Sequence, residues 1–124
     1  MKRIVLLLFV GTMSSCLLAQ QGKVFENLTL ESSILKMKKK YAVYFPPDYE
    51  TSERYYPVLY LLHGAGGDQA EWIQRGEVAR IADNAINNGL ASAMIIVMPD
   101  ASGENRGYAN DPAGKWRYED FFFQ

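Results

Sequence analysis

Val58-Leu59-Tyr60-Leu61-Leu62 is an unbroken apolar run, and it leads straight into His63-Gly64-Ala65-Gly66-Gly67. A continuous apolar stretch of this length is the pattern of a strand buried on both faces, as in a parallel sheet covered by helices. The glycines that follow permit positive φ and let backbone come close to a ligand. A backbone N–H aimed at a developing oxyanion is worth about 3–4 kcal/mol where such donors have been removed. The plainer reading of the same residues is an ordinary strand-to-helix turn.

The flanking sequence fits a sheet of this kind. Residues 24–30 and 39–45 are rich in β-formers and read as a hairpin, with Ser32 and Ser33 near the connection. Pro46-Pro47-Asp48-Tyr49 stops the second strand, because proline offers no ladder donor and restricts the residue before it. Val78, Ile81, Ala82, Ala85 and Ile86 form one apolar stripe at helical spacing, with Glu77 at its start and Asn87-Asn88-Gly89 at its end. Asp68 suits a helix N-cap. Ala93 to Met98 is a second continuous apolar strand, stopped by Pro99-Asp100. Residues 101–117 read as a long loop, and Tyr118 to Gln124 open another helix with Asp120 near its start. Strands alternating with helices predict an α/β fold with a mostly parallel sheet and flanking helices.

The chain has 124 residues, enough for one domain at most. Net charge is −1, which argues against a nucleic-acid partner. The one basic run, Lys36 and Lys38 to Lys40, reads as a solvated edge or turn. Residues 1–19 have the layout of a secretory signal peptide: Lys2 and Arg3, then apolar Ile4 to Val10, then small and polar residues as far as Ala19. Cleavage after Ala19 would leave residues 20–124 as a secreted or periplasmic domain without cysteine. The rival is lipidation at Cys16, the only route by which this sequence implies a membrane partner. Asn27-Leu28-Thr29 is a glycosylation sequon, meaningful only in a eukaryotic secretory pathway.

Four segments together resemble the esterase-D-like esterases, a group that includes acetyl-xylan and feruloyl carbohydrate esterases, S-formylglutathione hydrolases and mycolyltransferases. They are Tyr41 to Tyr49, Tyr56 to Gly67, Ile96 to Asp100 and Tyr118 to Phe122. The resemblance implies the N-terminal portion of an α/β-hydrolase fold. It implies a serine esterase working through an acyl-enzyme, with no metal or organic cofactor. It places the oxyanion donor at the N–H of Ala65, in a loop formed with His63, Gly64, Gly66 and Gly67. Family members carry Gly-x-Ser-x-Gly on a strand-to-helix turn, followed by the acid and then the histidine. No Gly-x-Ser-x-Gly occurs here. The chain is therefore expected to be a fragment that stops before the nucleophile strand and holds no catalytic residue of its own. Export favours a small-molecule or polysaccharide ester, such as an acetyl or feruloyl group. A non-catalytic, carbohydrate-binding relative of the same fold is the alternative.

Among single residues, His63 is the sole histidine. A general base needs a nucleophile within reach and a third group to orient it. None is evident, so His63 is expected to hold the loop by hydrogen bonds. Trp72 is a candidate for the acyl pocket, with simple packing as the alternative. Asp100 follows a strand, but the family's acid comes after the nucleophile, which favours a loop or cap role. Ser102 is the one serine comparable to a nucleophile, yet no strand-turn-helix surrounds it. Tyr108, Asn110 and Trp116 either bind sugar or phenolic groups or belong to a solvated loop.

Overall fold

The computed structural model describes residues 20–103 and 107–123. The expected leader, with Cys16 and the cleavage point at Ala19, lies outside them. Along the chain come β1 (Lys23–Ser32), β2 (Met37–Phe45), β3 (Val58–Tyr60), α1 (Glu71–Gln74), α2 (Val78–Asn87), β4 (Ile95–Pro99) and α3 (Tyr118–Phe122). β1 and β2 form the expected antiparallel hairpin, with Lys23 opposite Phe45 and Ser32 opposite Met37. Ser32 Oγ accepts the Leu35 N–H at 3.0 Å and stabilises the turn between them.

The strand order is β1-β2-β4-β3. β2 pairs with β4 antiparallel, and only β3 and β4 run parallel, with Leu59 opposite Ile96. The sheet is mixed, which corrects the expectation of a mostly parallel one. The reason lies in the connections. A tight turn can join only antiparallel strands, and among the described residues one helical crossover, through α1 and α2, links a parallel pair.

β3 also departs from expectation. It forms the outer edge, and Val58, Leu59 and Tyr60 are 48%, 44% and 54% exposed. Its apolar run is not buried on both faces by the described residues. The interior strands are β2, where Ala42, Val43 and Tyr44 are buried, and β4, where Ile96 and Met98 are buried.

On one face of the sheet, Val78, Ala79, Ala82 and Ile86 of α2 pack against Ala42, Tyr44, Ile96 and Met98. The buried face of α2 is rotated from the predicted stripe, so Ile81 is 55% exposed. The rotation brings Asp83 over the sheet, where its Oδ1 accepts both the Tyr44 hydroxyl and the Gly22 N–H at 2.8 Å. Burial and that carboxylate push the Tyr44 phenol pKa up. Glu77 does precede α2, but in the left-handed region at φ 48° and without a side-chain cap.

A second cluster joins Ala101, Trp116 and Tyr118 with Leu35, Phe121 and Phe122. It orders the end of the 101–117 segment, and Trp116 is buried core rather than a sugar contact or a solvated side chain. Asn110 is spent on α3, donating to Asp120 Oδ1 at 2.9 Å. The basic run needs a correction as well. Lys38 and Lys40 are exposed, but strand alternation turns Lys39 inward. Its ammonium lies 3.4 Å from Asp100 Oδ2 and over the rings of Trp116 and Tyr118, at 5.7 and 5.8 Å.

Candidate functional site

The segment after β3 is pinned from two sides before it turns. Leu61 N–H donates to Val97 O at 2.9 Å, extending the parallel ladder. Leu62 O accepts the Trp72 indole N–H at 2.8 Å. Trp72 thus donates to the strand end and is not among the residues lining the cavity described below.

His63 is held through every polar atom of its ring. Nε2 accepts the Ala101 N–H at 2.9 Å, so the proton sits on Nδ1, which donates to Gly64 O at 2.8 Å. Its backbone N–H donates to Tyr108 Oη at 2.8 Å. With its one ring lone pair engaged by Ala101, the imidazole has no site left to take a proton from a nucleophile. Its side chain is 6% exposed.

These bonds aim the next peptide. Gly67 N–H donates to Gly64 O at 3.1 Å, and Gly66 has φ 80°, the value a type II turn demands at its third position. Glycine is required there because a side chain would be strained. Gly64 O therefore receives two donors, Gly67 N–H and His63 Nδ1–H. In a planar trans peptide the C=O and N–H point in opposite directions. Fixing the Gly64 oxygen thus directs the Ala65 N–H away from the turn. Among the described residues that N–H has no hydrogen-bond partner. Ala65 lines a cavity of about 480 Å³, together with Gly66, Ser102, Gly103 and Tyr108.

The opposite wall rests on Asp100. Its Oδ1 accepts the Ser102 N–H at 2.7 Å, its backbone N–H donates to Lys40 O at 3.0 Å, and its carbonyl accepts the Tyr118 hydroxyl at 2.9 Å. Burial alone would raise the Asp100 pKa. The Ser102 hydroxyl and N–H together with the Lys39 ammonium outweigh it and hold the carboxyl below its ordinary value. Asp100 is thus a loop anchor. Ser102 lies on the cavity wall beside this carboxylate. Tyr108 also lines the cavity. Burial first, then the Asp100 and Glu71 carboxylates, push its phenol up to about 12 against the pull of the His63 N–H. It is neutral at neutral pH and able to accept that N–H.

Asp68 Oδ1 accepts the Ala70 N–H at 2.9 Å in a turn ahead of α1, whose N-cap is Ala70 without a side-chain cap, so Asp68 is not the expected N-cap. Glu71, at the start of α1, did not stand out in the sequence. Its carboxylate accepts the Gly64 N–H at 3.1 Å. Among the described residues no group of three His, Cys, Asp or Glu side chains is placed to hold a metal ion.

Residues 32–121 match the family model described as "Putative esterase". The chain belongs to this esterase family. It is 35% identical over 83 residues to an endo-1,4-beta-xylanase/feruloyl esterase of Xylanibacter ruminicola, covering 64% of this chain and 11% of that protein. Among solved structures, it is similar to a ferulic acid esterase at TM-score 0.77 and 40% identity, over 84% of this chain and 41% of the other. A mutant of the feruloyl esterase module from Clostridium thermocellum, complexed with sinapinate, matches at TM-score 0.62 and 28% identity, over 73% and 31%. The architecture is that of the α/β-hydrolase fold, here with a mixed sheet. The chain spans less than half the length of these relatives.

Proposed function

We propose that this chain supplies the oxyanion-binding part of a secreted serine esterase that cleaves feruloyl or acetyl esters on polysaccharide. The observation that carries the reading is the Ala65 N–H. It is unpartnered among the described residues, it belongs to a cavity-lining residue, and its direction is fixed by two donors on Gly64 O. A cavity of about 480 Å³ suits an acyl group of feruloyl size. Family membership and the likeness to feruloyl esterases support the substrate class. The apolar leader pattern of residues 1–19 supports export.

In this reading the nucleophilic serine, its histidine and the acid come from the part of the relatives' length that this chain does not span. The serine oxygen attacks the ester carbonyl while its proton passes to the catalytic histidine. The carbonyl oxygen, now negative, is held by Ala65 N–H and by the N–H after the serine. The intermediate then expels the sugar hydroxyl, which takes the proton from the histidine, and leaves an acyl-enzyme. Water, deprotonated by the same histidine, releases the free acid. His63 takes no proton in this scheme. It keeps Gly64 O in place.

The test is methyl ferulate and p-nitrophenyl acetate hydrolysis by the full-length protein and by residues 20–124 alone. We expect turnover by the full-length protein, abolished by a fluorophosphonate that labels a serine other than Ser102, and none by residues 20–124. Xylan binding without turnover would overturn the esterase reading in favour of a carbohydrate-binding module. Labelling of Ser102 would move the nucleophile into this chain.

A further inference from the structure

Gly64 is held on both sides of its residue. Its carbonyl is taken by Gly67 N–H and His63 Nδ1–H, and its N–H by Glu71 Oε2 at 3.1 Å. The Glu71 side chain is 26% exposed, and Arg75 lies 3.9 Å from its other oxygen. The carboxylate also lies directly under Gly67. A Cβ built there would stand 2.0 Å from Oε2 and 2.7 Å from Cδ. Gly67 does not have a positive φ, so backbone conformation does not demand glycine at that position. A side chain at position 67 would have to displace the Glu71 carboxylate.

We infer that Glu71 is the positioning residue of the oxyanion loop: it holds the Gly64 N–H inside the loop, so that the Ala65 N–H, and not that of Gly64, is presented to the substrate oxygen. The inference rests on the esterase reading above. Without Glu71, the Gly64 N–H would lose its acceptor, and rotation of the His63–Gly64 peptide that carries it would shift the Gly64 carbonyl and, with it, the Ala65 N–H of the next peptide. An oxyanion hole works because its dipoles are fixed before the reaction. What the loop needs from Glu71 is an acceptor at that place rather than a charge. A negative charge close to a developing oxyanion is unfavourable on Coulombic grounds.

Three variants of the full-length enzyme test this, read by kcat and KM for methyl ferulate. Glu71→Ala should lower kcat about 10- to 100-fold with little change in KM or melting temperature, since a small misplacement of a catalytic group costs this much. Glu71→Gln keeps an acceptor and should restore most of kcat. Gly67→Ala should be harmful in the native background and nearly silent when combined with Glu71→Ala, because the obstructing carboxylate is then gone. A Glu71→Ala enzyme with native kcat would overturn the inference. So would a Glu71→Gln enzyme as slow as Glu71→Ala, or purely additive effects of the 67 and 71 substitutions. If the native enzyme shows no ester hydrolysis, the esterase reading fails, and the Gly64 amide still decides on Glu71. Its proton resonance should shift and its exchange with solvent accelerate in Glu71→Ala but not in Glu71→Gln. An unchanged Gly64 amide would refute the anchoring.

Discussion

Asp100 joins β2, α3 and the segment after β4 through its side chain and its backbone. It takes the Lys39 ammonium on one oxygen and the Ser102 N–H on the other, while its backbone meets Lys40 and Tyr118. Lys39 and Asp100 side chains are 6% and 11% exposed, so losing one partner strands a buried charge. Lys39→Met should therefore cost about 3–5 kcal/mol of stability. The pH dependence has a definite sign. The folded pKa of Asp100 lies below the unfolded value of 3.8, so folding favours the ionised form. Its contribution is fully present above pH 3.8 and is lost as pH falls through the lower folded value. Melting temperatures of the native protein and Asp100→Asn, compared from neutral to strongly acid pH, should differ most at neutral pH and converge at the acid end. A gap that stays constant through the acid range would contradict the ion-pair account.

The elements show what sequence periodicity can carry and where it stops. The hairpin, β4, α2 and the glycine loop were legible because each depends on local pattern: alternation, an apolar run, helical spacing, glycines after a strand. The rotation of α2 was not legible, because it is set by Asp83 reaching Tyr44 and Gly22, contacts 39 and 61 residues away in sequence. The same holds for Lys39, whose inward direction depends on an acid that comes 61 residues later. Glu71 escaped notice because an acid in the first turn of a helix has an ordinary reading, as a partner of the helix dipole. An aromatic near a glycine loop fits either a pocket or a packing role, and the bond from Trp72 to Leu62, ten residues back, is not visible in local pattern. The rotated face of α2 is open to test. Ile81→Lys should change stability by no more than about 0.5 kcal/mol. Ala82→Lys, directed into the packed face, should cost about 1–3 kcal/mol. Equal costs would favour the stripe as first predicted.

On the scale of the molecule, the site sits where the end of a parallel strand pair meets the Asp100 platform. β3 brings the loop, β4 brings Asp100 and Ala101, and His63 Nε2 ties the two by accepting the Ala101 N–H. The whole assembly fixes one peptide plane, that of Gly64 and Ala65. Ala65→Pro in the full-length enzyme probes that plane most directly. Proline replaces the donor hydrogen with its ring Cδ, restricts φ at 65 and the residue before it, and is favoured at the second position of a type II turn. The fold, checked by circular dichroism and melting, should be retained. Turnover of methyl ferulate should then fall by about 10²–10³-fold in kcat. A correctly folded Ala65→Pro enzyme with near-native kcat would show that the oxyanion is held elsewhere.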